Sequence, residues 1–224
     1  MKPGWAEVAP GLLAYEADDR RNVCEGRPAE FCDRDGVLNE LVPDRFSGTP
    51  ESPLEVSDVR LIRGAAASMR ELSRAGFVLV CATNQPAAAK GSTTVERLQA
   101  VHEQVVGLLS HQGVRLDASW LCLHHPDGVV PSLSGACRCR KPQPGMLLNA
   151  AAALGLDLWS SWMIGDTHAD VTAGQSARCG TILIEYPGSS HKRLDSARPG
   201  MLAADLAAAT ALLVGVSPAG TSSL

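Results

Sequence analysis

Two aspartates lie two residues apart, directly after a short apolar run. Asp33 and Asp35 belong to residues 31–39, which read FCDRDGVLN. An aspartate that ends a strand can act as a nucleophile, and side chains two positions apart point to the same side of an extended segment. Two converging carboxylates repel each other unless a cation joins them. The pair therefore predicts a Mg²⁺ ion together with acid–base chemistry.

Two further motifs contain groups that suit a phosphate. Thr83 ends an apolar run and is followed by Asn84 and Gln85, and its hydroxyl can donate to phosphate oxygens. Arg140 and Lys141 precede a proline-rich turn, where a fixed lysine can neutralise a phosphoryl group and its developing charge. Taken alone, the first motif is as typical of a polar turn and the second of a solvated surface charge.

A fourth motif, GDTHAD at residues 165–170, follows another apolar run. Asp166 comes directly after that run and suits metal ligation, and Asp170 can brace the lysine or the metal. Asp166 or Thr167 is also well placed to cap the helix that follows. The two roles are compatible, and both remain open at this point.

A separate cluster of thiols and imidazole has the ligand types of a structural zinc site. Its four members flank one loop and are Cys122, His124, Cys137 and Cys139. Four nitrogen and sulfur ligands form a closed tetrahedral Zn²⁺ site, and its binding free energy should order residues 126–136. Arg138 and Arg140 can offset the excess thiolate charge. His125 competes with His124 for the histidine role, and the alternative is three packing cysteines beside a surface histidine.

Apolar runs alternate with helical patterns along most of the chain. Residues 77–82 are a continuous run typical of a buried strand, whereas residues 93–111 carry an apolar stripe at helical spacing. This alternation predicts a parallel sheet with helices on both faces and places the motifs at the carboxyl ends of strands. The remaining predicted strands are 30–32, 120–123, 162–164 and 181–185, and the remaining predicted helices are 64–75, 144–154, 169–177 and 202–213.

Composition narrows the class of protein. The chain has 224 residues, 45% of them hydrophobic, and a net charge of −4. This charge argues against a general nucleic-acid binder, no stretch approaches the roughly 18 apolar residues of a membrane span, and the N-terminus lacks the apolar run of a signal peptide. We expect a cytoplasmic monomer that binds neither nucleic acid nor membrane.

The four motifs, in this order, resemble those of the haloacid dehalogenase (HAD) superfamily of phosphotransferases. The zinc loop and the RKPQPGM sequence at residues 140–146 are similar to one branch, the D-glycero-D-manno-heptose 1,7-bisphosphate phosphatases. The likeness covers residues 31–186. It implies a Rossmann-like α/β fold with a minimal cap, a small phosphorylated sugar as substrate, and a place in nucleotide-activated heptose synthesis.

The resemblance also implies a role for each motif residue. Asp33 would be the nucleophile and Asp35 the general acid and base, with Thr83 and Lys141 stabilising the phosphoryl group. The carboxylates of Asp33 and Asp166 and the backbone carbonyl of Asp35 would hold Mg²⁺, with Asp170 in support. The residues expected to bind substrate are Arg34, Asn84, Gln85 and Arg140.

Four other functions are compatible with parts of this sequence. Histidinol-phosphate phosphatases share the motifs and a similar zinc loop, and polynucleotide 3′-phosphatases share the chemistry. Receiver-type signalling domains share the acids, and a non-catalytic zinc module is a further alternative.

We predict an N-terminal extension of unknown role (1–25), one HAD phosphatase domain (26–216, with its zinc loop at 122–139) and a flexible tail (217–224). Residues 40–58, between the first motif and the first predicted helix, are expected to form the entrance loop.

Overall fold

The apolar runs of the sequence form most of one eight-stranded sheet. The computed structural model describes residues 4–16, 25–45, 47–193 and 197–216, so the predicted tail lies outside the described residues. The strands in chain order are β1 (Trp5–Ala9), β2 (Leu12–Glu16), β3 (Arg27–Cys32), β4 (Val42–Pro43), β5 (Pro50–Glu51), β6 (Val78–Asn84), β7 (Ala118–Cys122), β8 (Leu156–Gly165), β9 (Gly180–Ile184) and β10 (Met201–Ala203).

The large sheet has the order β1-β2-β7-β6-β3-β8-β9-β10. Every neighbouring pair from β7 to β10 is parallel, whereas β2 pairs antiparallel with β7 and with β1. The central strand β3 has β6 and β8 as its neighbours, so the polar segments that follow these three strands meet at one edge. The predicted α/β fold with a central parallel sheet is confirmed, and the antiparallel strands β1 and β2, which were not predicted, extend that sheet at one side.

Helices cover both faces of this sheet. They are α1 (Ala65–Arg74), α2 (Val95–His111), α3 (Gly145–Leu154), α4 (His168–Ser176) and α5 (Leu206–Val216). Buried side chains of α1, α2 and α5, such as Met69, Val105 and Leu213, share one core cluster. Met146 and Leu147 of α3 pack into a second cluster on the other face. Among the described residues no helix is long and apolar enough to cross a bilayer.

The predicted helix over residues 202–213 is wrong at its start. Leu202 lies in β10 and pairs with Leu183 of β9, and the helix α5 begins only at Leu206. Pairing with an existing strand outweighs the helical preference of an alanine-rich segment, because strand preference depends on tertiary context. Asp205, whose side chain accepts from the Ala208 amide at 2.8 Å, marks the true start of the helix.

Residues 5–16 form a β-hairpin that extends the sheet beyond β7. Neither strand shows a clear periodicity in the sequence, because four residues of β1 are exposed and only Trp5 is buried. Residues 40–58, the predicted entrance loop, contain a second small hairpin of β4 and β5. An ion pair between Lys192 and Glu51, with a 2.7 Å separation, ties this hairpin to the segment after β9.

Candidate active site

Asp33 directly follows β3, and one oxygen of its carboxylate is held from two sides. Lys141 Nζ lies 3.1 Å from Asp33 Oδ1, and the Arg34 amide donates to the same oxygen at 2.7 Å. Within the described part of the chain, Asp33 Oδ2 has no hydrogen-bond partner. The Asp33 side chain retains 14% exposure, so its second oxygen can meet a reactant.

Lys141 is buried and contacts three acceptors. Besides Asp33, its ammonium donates to the Ala82 carbonyl and lies next to Asp170 Oδ1, both at 2.6 Å. Burial lowers the pKa of Lys141, but the two carboxylates outweigh it and raise that pKa above its usual range. The backbone is fixed as well, because the Asn84 side chain accepts from the Lys141 amide at 3.0 Å and donates to its carbonyl at 2.9 Å.

Asp33, Asp166 and Asp170 form a three-carboxylate cluster. Their ligand oxygens lie within 4.8 Å of one another. Burial, with added repulsion from Asp170 and Asp35 and against the attraction of Lys141, raises the pKa of Asp33 to about 6. Burial and the charges of Asp33 and Asp170 raise the pKa of Asp166 to about 8. The single positive charge of Lys141 does not balance three carboxylates.

The donor set of this cluster fits a divalent oxygen-seeking cation such as Mg²⁺. Three ionised carboxylates and the Lys141 ammonium carry a net charge of −2, since −3 + 1 = −2. Asp166 Oδ1 is buried and has no hydrogen-bond partner in the described part of the chain, so a ligand atom is available. A bound divalent ion would reverse the local pKa shifts.

Two glycines allow the acidic side chains to approach the backbone. Gly36 has a φ of +86°, and a Cβ there would lie 2.0 Å from Asp166 Oδ2. A Cβ on Gly165 would lie 2.2 Å from the Cβ of Asp170. Any larger residue at either position would displace a carboxylate of the cluster.

Asp170 combines the two roles that the sequence left open. Thr167 is the N-cap of α4, and its amide and hydroxyl donate to Asp170 Oδ2 at 3.0 and 2.6 Å. The other oxygen of Asp170 faces Lys141. The helix cap therefore orients the carboxylate that braces the lysine.

Asp35 turns away from the three-carboxylate cluster. Arg34, fully buried, forms a bidentate ion pair with it at 3.1 and 3.0 Å, and amides of Asn39 and Gln85 donate to it at 2.8 and 2.7 Å. Burial raises the pKa of Asp35, but the Arg34 charge and these hydrogen bonds outweigh it and lower the pKa. The expected convergence of the Asp33 and Asp35 side chains is not observed, and a metal contact through the Asp35 carbonyl stays a prediction.

Three residues expected to bind substrate instead direct their side chains to other members of the site. Arg34 holds Asp35 and Asn84 holds Lys141. Gln85 bridges Asp35 and the hydroxyl of Thr83, which accepts from it at 2.9 Å. Asn39, to which no role was assigned from the sequence, belongs to the same network. Its signal was its place at the end of the first motif.

The four predicted zinc ligands come together as one cluster. The three sulfurs lie 3.2–3.8 Å apart, and the His124 Nδ1 atom lies 3.7 Å from Cys122 Sγ and 3.5 Å from Cys139 Sγ. Metal–ligand bonds of about 2.3 Å to sulfur and about 2.0 Å to nitrogen give tetrahedral edges of about 3.5–3.8 Å. The set therefore fits a tetrahedral metal such as zinc.

The segment that carries these ligands also reaches the lysine. Arg140 donates from Nη1 to the His124 carbonyl at 3.2 Å and from its amide to Cys137 Sγ at 3.3 Å. Backbone bonds from Val129 and Val130 to the Ala89 carbonyl, at 2.7 and 3.1 Å, hold the loop as well. This loop therefore has supports other than a metal, more than its sequence indicated.

Comparison with known proteins gives concordant results. Residues 138–209 match a family model described as HAD-hydrolase-like. A D-glycero-beta-D-manno-heptose-1,7-bisphosphate 7-phosphatase of Yersinia pestis is 39% identical over 161 residues, which cover 72% of this chain and 81% of that protein.

Solved structures give the same picture. An HAD-like phosphatase of Mesorhizobium loti has a TM-score of 0.77 at 28% identity and covers 93% of this chain and 94% of its own. A D,D-heptose 1,7-bisphosphate phosphatase of B. bronchiseptica, complexed with magnesium and phosphate, has a TM-score of 0.70 at 28% identity and covers 84% and 98%.

Proposed function

Since this chain belongs to the D-glycero-beta-D-manno-heptose-1,7-bisphosphate 7-phosphatase family of HAD-like hydrolases, we propose that it removes the C7 phosphate of that sugar bisphosphate. The observation that carries this proposal is the pairing of Asp33 with Lys141 beside the three-carboxylate cluster. Phosphoryl transfer needs positioning and charge neutralisation more than elaborate covalent chemistry, and this arrangement supplies both.

In the first step Asp33 Oδ2 attacks the phosphorus atom, and the bond between phosphorus and the sugar oxygen breaks. Lys141 and the Thr83 hydroxyl stabilise the transferring phosphoryl oxygens. Asp35 gives a proton to the departing alkoxide. Because the pKa of Asp35 is lowered in the free protein, its carboxylate takes this proton from solvent before the first turnover and from the hydrolytic water of the second step in later turnovers.

In the second step Asp35, again a carboxylate, removes a proton from a water molecule. The resulting hydroxide attacks the aspartyl-phosphate on Asp33, the acyl phosphate bond breaks, and inorganic phosphate leaves. Arg34, Asn39 and Gln85 fix the Asp35 carboxylate for both proton transfers, and Arg140 lies where the zinc loop meets the site.

Two metals complete the proposal. Mg²⁺ would be held by Asp33, Asp166 and the backbone carbonyl of Asp35, and when bound it neutralises charge on the phosphoryl group. Zn²⁺ would have a structural role, with four ligands: Cys122, His124, Cys137 and Cys139.

The test is phosphate release with Mg²⁺ from both anomers of heptose 1,7-bisphosphate, histidinol phosphate and a 3′-phosphorylated oligonucleotide. We expect loss of one phosphate from the β anomer, and Asp33→Asn should abolish turnover while the far-ultraviolet circular dichroism is unchanged. A preference for another substrate would refute the heptose assignment, and full activity in Asp33→Asn would refute the aspartyl-phosphate mechanism.

A further inference from the structure

The N-terminal hairpin (Trp5–Glu16) lies directly against the Cys/His cluster. We infer that this hairpin is a positioning element of the metal site, which fixes His124 and Cys122 in the geometry needed to retain the ion. The inference rests on the zinc site proposed above and gives a role to a segment whose sequence indicated none.

The first observation is the register of the sheet. Leu12 of β2 pairs with Cys122, the last residue of β7, and the Leu123 amide donates to the Gly11 carbonyl at 2.9 Å. The hairpin therefore pairs with Cys122 and bonds to the backbone of Leu123, the residue between the two ligands. Two of the four ligands, Cys122 and His124, therefore lie on a segment that is paired with this hairpin.

The second observation is the contact between the hairpin turn and the ligand ring. Gly11 has a φ of +62°, and a Cβ there would lie 2.5 Å from His124 Cε1 and 2.8 Å from Nε2. The Gly11 amide is itself held by the Glu7 carboxylate at 2.9 Å. The turn thus closes one face of the imidazole, and mutation of groups that orient a ligating ring typically costs about 10–100-fold in metal affinity.

The third observation is that the hairpin packs on both sides of the sheet. Leu12 and Ala14 share a core cluster with Cys122 and Cys139. On the other face, Trp5 and Leu13 share a cluster with a residue of the zinc loop, Leu133. Both faces of the hairpin therefore touch the metal-bearing segment.

The far end of the hairpin is anchored to α2. The Trp5 indole donates to Glu103 Oε1 at 2.9 Å, and its ring centroid lies 5.0 Å from that of Tyr15 and 5.5 Å from that of His102. These contacts fix the hairpin without touching any metal ligand. Loosening this anchor should therefore reach the metal only through the hairpin.

The experiment measures zinc release from the full-length zinc-loaded protein into an excess of a chromogenic chelator. We expect Gly11→Ala to speed release by about 10-fold or more, because the new methyl group displaces the His124 ring. The matched control is Gly113→Ala, which imposes the same backbone cost at a φ of +73° but has open space around its Cβ. It should release zinc at the wild-type rate.

A second variant addresses the whole hairpin rather than the local clash. Trp5→Ala should also speed zinc release. Leu213→Ala should not, because it truncates a side chain in the core cluster shared by α1, α2 and α5, which contains no candidate zinc ligand. Wild-type release rates in both Gly11→Ala and Trp5→Ala would overturn the inference. A wild-type protein that retains no zinc would refute the proposed metal site and this inference together.

Discussion

Most polar side chains of the candidate site are bound to one another by hydrogen bonds and ion pairs, even without a ligand. The Asp35 carboxylate accepts from Arg34, Asn39 and Gln85, and Lys141 is fixed at both ends, by Asn84 on its backbone and by carboxylates on its ammonium. Groups fixed in this way need little reorganisation when charge develops in a transition state. Loss of one member should therefore reduce both rate and stability.

Lys141→Met tests this coupling most directly. The substitution keeps an unbranched side chain, shorter by one heavy atom, but leaves Asp33 and Asp170 without their shared cation. We expect turnover to fall by about 10²–10³-fold and the free energy of unfolding of the metal-free protein to fall by about 3 kcal/mol. Steady-state kinetics and urea denaturation measure the two quantities.

The comparison for stability is Lys192→Met, whose ion pair with Glu51 is exposed on both sides. Exposed pairs contribute about 0–1 kcal/mol, so this variant should unfold almost as the wild type does. If Lys141→Met lost activity but unfolded at the same urea concentration as the wild type, the buried ion pairs of Lys141 would make no net contribution to the free energy of unfolding.

The sequence singled out most of the residues that meet in the candidate site, though not Asn39, and it did not indicate how their side chains pair. The order of the four motifs sufficed to place Asp33, Lys141 and Asp166 at one sheet edge. The partners of Asn84 could not be foreseen, because its hydrogen bonds reach a residue 57 positions away. A polar residue at the end of a strand can face a substrate or a neighbouring loop, and only packing decides which.

Among the elements, the zinc loop (122–139) has contacts that would hold part of it in place without a metal. The four candidate ligands lie near its two ends. Between them, Leu133 is buried in an apolar cluster and the Val129 amide donates to the Ala89 carbonyl, which lies after β6. Removal of the metal should therefore loosen the ligand segment rather than unfold the whole loop.

Cys137→Ser should abolish zinc retention and lower the melting temperature. Serine is a poor ligand for zinc, and metal binding free energy in such a site is folding free energy. In the wild type a chelator should lower the melting temperature, and in Cys137→Ser the same chelator should have no effect. Metal analysis of the purified proteins gives the stoichiometry.

Cys179→Ala is the control, because Cys179 is a buried cysteine that lies outside the four-ligand cluster. It should keep one zinc per chain and remain sensitive to the chelator. Equal zinc contents in Cys137→Ser and Cys179→Ala would show that the four-ligand cluster is not the zinc site.

On the scale of the whole molecule, the sheet encloses a carboxyl that the proposed mechanism does not use. Glu30 in β3 pairs across to Leu79 and Trp162, is fully buried, and has no hydrogen-bond partner on either carboxyl oxygen among the described residues. Strand alternation predicted a parallel sheet with helices on both faces, but it did not indicate that β3 would lie near the centre of that sheet. Burial raises the pKa of Glu30 to about 8.

This raised pKa links stability to pH with a definite sign. The unfolded chain releases the Glu30 proton near pH 4.5, whereas the folded chain keeps it to about pH 8. Between these values the folded state binds more protons, so stability falls as pH rises. Burial lowers the pKa of His102 to about 3 from 6.5, which gives the opposite slope below pH 6.5, and the raised pKa values of Asp33 and Asp166 add to the slope of Glu30.

Glu30→Gln isolates one group from these overlapping slopes. The amide keeps the shape of the protonated carboxyl and does not titrate. The stability of the Glu30→Gln variant relative to the wild type should therefore improve by about 1.4 kcal/mol for each unit that the pH rises within this window. Urea denaturation at intervals from pH 5 to 8 measures the difference, to which His102 and the other acids contribute equally in both proteins. Glu71→Gln, at an exposed position of α1, should follow the wild-type curve. If Glu30→Gln also ran parallel to the wild type, Glu30 would titrate alike in the folded and unfolded chain, and its carboxyl would be solvated within the core.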